Sequence, residues 1–258
     1  MIQVKDILSC LEQAAPYSLA ESWDNVGLLV GDANAEVTGV LCALDITQAV
    51  VEEAAERGCN LIVAHHPVIF TSVHSVTTDT VTGKILISMI QKGISGICMH
   101  TNMDCASAGV NDLLAASLGL QNVENMEAGE NGQLCRIGNL PQAMSLPAFA
   151  KHVKLSLGAG GVRVADGGKP VHRVAVGGGA CGKMMDQAVA KGADTFVIGD
   201  CSYDLMQKAH DIGLNLLDAG HFPTENPVAH GFRDLITAQF PDVHAEVSSV
   251  HKDVITFY

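Results

Sequence analysis

The chain has 258 residues, 48% of them hydrophobic, and a formal net charge of -13. That is ample material for one large α/β domain or two smaller lobes, and the acidity argues against a general nucleic-acid binder, which needs a basic footprint to displace phosphate counterions. No apolar run approaches the roughly 18 residues of a membrane span, and Asp6 and Glu12 interrupt the stretch where a signal peptide would be apolar, so a cytoplasmic location without membrane contact is expected.

In chain order, ESWDNVGLLVGD comes first and holds the only tryptophan, Trp23. Its polar WDN is out of place in a core strand and predicts a turn at the edge of a site. GVLCALDIT, QAVVEEAAERG and CNLIVAHHP then read as strand, amphipathic helix and buried strand, with Gly58 as the helix cap. A third strand and a loop follow in GISGICMHTNMD, then a helix in AGVNDLLAASLGL. Residues 121–170 are rich in Gly and Pro turn signals and read as a bridge between lobes, with one helix in LPAFAKHVKLSLG. HRVAVGGGA, KMMDQAVAKG and ADTFVIGDC repeat the strand-helix-strand pattern, with Gly192 as the cap. GLNLLDAGHFPTE adds another strand and loop, and AHGFRDLITAQF another helix.

A single offset of 134 residues relates Val40 to Val174, Gly58 to Gly192 and Val63 to Val197, which favours a duplication. The expected fold is α/β, with two interlinked, duplicated lobes: 1–124 with His65, His66 and Asp104, and 125–258, containing the bridge, His221 and Glu225. Alternating strands and helices imply largely parallel sheets, whose ligands sit at the carboxyl ends of the strands.

The histidines and carboxylates fall at those ends. Two neighbouring histidines reach one cleft only where a strand stops, because successive side chains of a strand alternate in direction; Pro67 stops it. His65, His66, Asp104, His221 and Glu225 form a mixed N/O set of the kind borderline divalent cations favour. Five ligands exceed the need of one catalytic ion and suit two that share a carboxylate, for which spacing leaves both Glu225 and Asp104 open. Asp24 and Asp45 are candidates to orient the ligands, and His100 to transfer a proton. The loop Gly177–Met184 fails as a P-loop at Met184, but the amides of Gly178 and Gly179 are candidates to bind an anion. Eight cysteines without a C-x-x-C pair read as reduced packing residues, Cys105 and Cys201 among them.

Taken together, WDNVGLLVG, LDIT, LIVAHHPVIF, HTNMD with GVND, and DAGHFPTE resemble the Nif-three-like proteins, whose members bear the name GTP cyclohydrolase 1 type 2 homolog. The resemblance spans essentially the whole chain and matches the short members, which lack an inserted domain. It implies that His66 and Asp104 hold one divalent ion, that His65 and His221 hold a second, and that Glu225 bridges both; zinc, iron and manganese fit such ligands. It further implies a site in the cleft between the lobes and a toroidal homohexamer, a trimer of dimers. The activity implied is metal-dependent hydrolysis of a nucleotide or other heterocyclic amide; the alternative is a non-enzymatic metal-delivery, storage or sensing protein, or a ring-shaped adaptor with structural metals. One departure stands in GDCSYD, where Asp204 occupies a position at which the family commonly has histidine.

Overall fold

The protein is described from a computed structural model covering residues 1–258, whose contacts divide it into two units: 1–106 with 228–252, and 107–227 with 253–258. The first unit opens with α1 (Val4–Ala14), β1 (Gly27–Val30), β2 (Val40–Ala43), α2 (Gln48–Glu56), β3 (Leu61–Ala64), α3 (Val81–Lys92), β4 (Ser95–Cys98) and the short α4 (Thr101–Cys105). The second begins with α5 (Val110–Ser117), β5 (Gln121–Asn125), β6 (Arg136–Met144), α6 (Leu146–Ser156), β7 (Arg163–Ala165) and β8 (Val171–Val176). It continues through α7 (Met185–Ala190), β9 (Thr195–Ile198), α8 (Tyr203–Asp211), β10 (Asn215–Asp218) and the short α9 (His221–Glu225). The chain then returns to the first unit through α10 (Pro227–Gln239) and β11 (Ala245–Val247).

The first sheet has the order β1-β4-β3-β2-β11, parallel except for β1. All four residues of β2, β3 and β4 are buried, the near-continuous apolar pattern of parallel strands covered on both faces. Leu41 and Ile62 share one core with Val50 and Ala54 of α2 and with Ile85 and Met89 of α3. Helix α2 starts where the Thr47 side chain accepts the Val50 N–H and stops at Gly58, whose φ of +71° suits a residue without Cβ. The second sheet has the order β5-β6-β8-β9-β10-β7, with β8, β9 and β10 parallel and the other three antiparallel to their neighbours. Val40 lies opposite Leu61 in the first sheet and Val174 opposite Thr195 in the second, so the 134-residue offset preserves strand register.

The expected boundary at 124/125 is corrected at both ends of the chain. Leu114, Ala115 and Leu118 of α5 share a core with Phe149, Val174 and Leu217, which places α5 in the second unit. Conversely β11 pairs in parallel with β2, which returns the segment 228–252 to the first. Residues 121–170 are no bridge, since they supply β5, β6 and β7 of the second sheet. Every residue of β5 is exposed, as is much of the latter half of β6, so the inside-outside alternation that marks a strand in sequence is missing there. The predicted loops after the third strand of each half are the one-turn helices α4 and α9.

Candidate metal centre

In the first unit the cluster is built on the ends of β3 and β4. The backbone N–H groups of His65 and His66 both donate to the Leu44 carbonyl, at 3.1 and 2.9 Å. Two successive amides converging on one acceptor break the alternation of the strand, and the two rings lie with centroids 5.1 Å apart. His65 is fully buried, and its Nδ1 donates to the Met99 carbonyl at 2.8 Å. His66 Nδ1 donates to Asp45 Oδ1 at 2.7 Å. Asp45 Oδ2 in turn accepts from His251 Nε2 at 2.9 Å. Burial alone would raise the Asp45 pKa, but these hydrogen bonds and the two imidazoles prevail and hold it well below the usual carboxylate range.

Asp104 ends up beside His65 because α4 forms one turn, bringing its buried carboxylate within 3.5 Å of His65 Nε2. His100 precedes that turn, and its Nδ1 donates to Asp24 Oδ1 at 2.8 Å. The other Asp24 oxygen accepts the Thr101 N–H at 2.9 Å. Burial opposes ionisation of Asp24, yet the bonds from His100 and Thr101 bring its pKa down to about 2. One ligand-type atom from each of His65, His66 and His100 lies within 4.8 Å of the others, a group able to hold a metal ion. The two predicted orienting residues are therefore placed: Asp45 holds His66, and Asp24 holds His100.

In the second unit, α9 makes one turn directly after β10 and brings residues four apart onto one face. His221 Nε2 meets Glu225 Oε2 at 2.8 Å, with Glu225 buried. His221 Nδ1 donates to Asp200 Oδ2 at 2.6 Å. Asp200 has a φ of +51°, a left-handed conformation that Asp tolerates better than most residues.

All four histidines thus commit Nδ1 to an oxygen acceptor. Carbonyl and carboxylate oxygens cannot donate, so each Nδ1 carries a proton, which fixes the ring with Nε2 as the nitrogen a metal would take. Imidazoles grouped in this way within the first unit could hold a metal ion.

The predicted anion site is overturned. The Gly178 N–H donates to Asn111 Oδ1 at 2.8 Å and the Gly179 N–H to Thr224 Oγ1 at 3.1 Å, so neither amide is available to an anion. The glycines serve another purpose: with φ +60° at Gly179, a Cβ there would overlap Glu225 Oε1 and come within 2.9 Å of His221 Nε2. Asp204 lies exposed in the first turn of α8, where a carboxylate favours the helix N-terminus. Cys105 and Cys201 are buried, and burial with the nearby Asp218 charge pushes the Cys201 thiol up to about 11, away from thiolate chemistry.

Residues 2–254 match the family model described as Duf34/NIF3 (NGG1p interacting factor 3). The chain belongs to the Duf34/NIF3 family. Two relatives, both named GTP cyclohydrolase 1 type 2 homolog, come from Clostridium acetobutylicum, 36% identical over 88% of this chain and 86% of its own, and from Clostridium perfringens, 34% identical over 99% and 100%. A crystal structure of a Staphylococcus aureus hypothetical protein superposes with a TM-score of 0.94 at 32% identity, covering 99% of both chains.

Within this Duf34/NIF3 chain, sequence reasoning missed His251 and the role of Asp200. His251 sits in an irregular segment 206 residues from Asp45, with no motif around it. Asp200 offered a signal in the Gly-Asp that closes β9, the same kind of strand end that carries the other site residues.

Proposed function

We propose that this protein is a dinuclear metal-dependent hydrolase acting on a nucleotide or other heterocyclic amide. The observation that carries the reading is that four histidines commit Nδ1 to an oxygen acceptor while ligand-type atoms of His65, His66 and His100 lie within 4.8 Å of one another. Following the family resemblance, His66 and Asp104 hold one divalent ion, His65 and His221 the other, and Glu225 both; the two units would descend from one duplicated ancestor and the chains assemble as a hexameric ring. Bound there, such ions supply Lewis acidity and acidify water. The chain's own part is to hold the ligands in their correct tautomer through Asp45, Asp200 and the Met99 carbonyl, and to accept a proton at His100 Nε2 while Asp24 steadies the imidazolium. The names of the two clostridial relatives support a purine-ring substrate.

A second reading, a non-enzymatic metal-binding protein or adaptor, draws support from the family description as an interacting factor. Two measurements separate them. Turnover by the metal-loaded protein on a panel of nucleotides, cyclic amides and phosphoesters is expected for the hydrolase, whereas a blank panel combined with metal transfer to an acceptor protein would favour the second reading. Titration of apo protein should show that Glu225→Ala binds at most one ion per chain and that Asp104→Ala retains one. Two ions bound at wild-type affinity by Glu225→Ala would place the bridge elsewhere.

A further inference from the structure

We infer that Trp23 and Phe70 form a stacking corner for the planar base of an uncharged nucleoside, whose ribose enters the adjoining hydroxyl-lined cavity. This deepens the hydrolase reading and depends on it for what happens to the ligand, though not for binding itself.

Trp23 is 57% and Phe70 55% exposed, in a chain that fully buries Phe149, Phe196 and Phe232. Their rings meet edge to face, with centroids 5.9 Å apart and planes at 73°. Both also stand edge-on to His100, at 6.0 and 6.1 Å. A planar ring laid on one wall of such a corner presents its edge to the other, the arrangement aromatic quadrupoles favour.

The corner is built to stay in place. Asn25 Nδ2 donates to the Ile69 carbonyl at 2.6 Å, tying the loop that bears Trp23 to the loop that bears Phe70. The Asn25 N–H donates to Asp24 Oδ1, the oxygen that also holds His100. Exposed aromatic side chains on mutually fastened supports are preorganised for a ligand, because little ordering entropy remains to be lost on binding.

Phe70 also lines a cavity of about 360 Å³, within the size range of small-molecule sites. The hydroxyl-bearing Thr71, Ser72, Ser75, Thr80 and Thr82 line it together with His74. Neither Lys nor Arg lines it, and the chain carries a net charge of -13. Hydroxyls match a sugar; the missing cations disfavour a polyphosphate.

Trp23 is the only tryptophan, so its fluorescence reports on the corner directly. The metal-loaded full chain would be titrated, with excitation at the tryptophan edge, using guanosine, adenosine, cytidine, ribose and GTP. At least one nucleoside should quench saturably and ribose should not. The best nucleoside should bind about tenfold or more tighter than GTP, and Phe70→Ala should weaken it by about tenfold, the effect of losing one stacking face. Thr82→Val, titrated with the best nucleoside and with its free base, should weaken the nucleoside without altering quenching by the base. No saturable quenching by any nucleoside, or an unchanged affinity in Phe70→Ala, overturns the inference. GTP bound as tightly as its nucleoside overturns the assignment of the cavity to an uncharged sugar. Metal content measured on the same samples keeps the two readings apart: nucleoside binding without metal sinks the hydrolase and leaves the corner, and two ions without nucleoside binding do the reverse.

Discussion

Asp200 shows how much a single side chain outside the candidate ligands contributes. Its carboxylate fixes the His221 ring, and its left-handed backbone restricts what can replace it. Asn tolerates that conformation and still accepts from Nδ1–H, but without charge. Asp200→Asn is therefore expected to leave stability within about 0.5 kcal/mol of wild type while lowering metal affinity by about tenfold, read by competition with a chelator. Gly179→Ala should act the other way round, through space rather than charge. The added methyl displaces Glu225 and His221 in a left-handed position that already disfavours alanine, so we predict loss of at least about 1 kcal/mol in urea unfolding together with weakened metal binding. Wild-type metal affinity in this variant would show that the carboxylate can relocate. The candidate ligands were legible because HH-P at a strand end and the spacings His100–Asp104 and His221–Glu225 are local patterns. His251 was not, since a hydrogen bond across 206 residues leaves no trace in either neighbourhood.

Among the elements, α2 does more than cover the sheet. Its buried Glu53 accepts from Ser249 N–H and Oγ, at 2.9 and 2.7 Å, and from Ser248 Oγ, while Arg57 lies one turn along at 2.7 Å. Burial raises the Glu53 pKa, but the serine bonds and Arg57 outweigh it and the net shift is downward. A depressed folded value means that the stabilisation is complete above the ordinary glutamate range, near 4.5, and disappears as pH falls through the folded value. Glu53→Gln should accordingly cost about 2 kcal/mol in urea unfolding at pH 7, with the gap to wild type closing below about pH 4. A gap that persists at pH 3 would assign the effect to packing. The parallel strands were readable as elements because both faces are buried and the apolar runs are continuous. The antiparallel strands β5, β6 and β7 lie toward or at the margins of their sheet, and exposure on β5 and β6 erased the pattern that would have announced them. Helices α4 and α9 are too short to show periodicity, which is why both segments read as loops in the sequence.

For the molecule as a whole, the α/β class was readable in the sequence, but the division between the units was misplaced. Its cue was the 134-residue offset, whereas division follows packing: α5 shares its core with β8, and β11 completes the sheet begun by β2. The ring expected from the family resemblance is tested by light scattering at micromolar concentration, where six chains of 27.0 kDa each should be found together; a monomer would remove the hexamer.

The return of β11 and His251 to the first unit also bears on synthesis. Ribosomes deliver chain from the N-terminus at about 5–20 residues per second, and domains ordinarily fold as they emerge. Here β2 keeps an open edge, and Asp45 lacks its second imidazole partner, until residues 245–251 have been made. By then the segment 107–227 of the second unit has already been synthesised. An exposed strand edge is a template for unwanted pairing, so the nascent first unit passes through a vulnerable interval that ends only with this late segment. Stalled chains halted before residue 245 should accordingly remain protease-sensitive around β2 and fail to retain metal. Chains extended past His251 and clear of the exit tunnel should gain both properties together, coupling the competence of the centre to the synthesis of a segment 206 residues beyond Asp45.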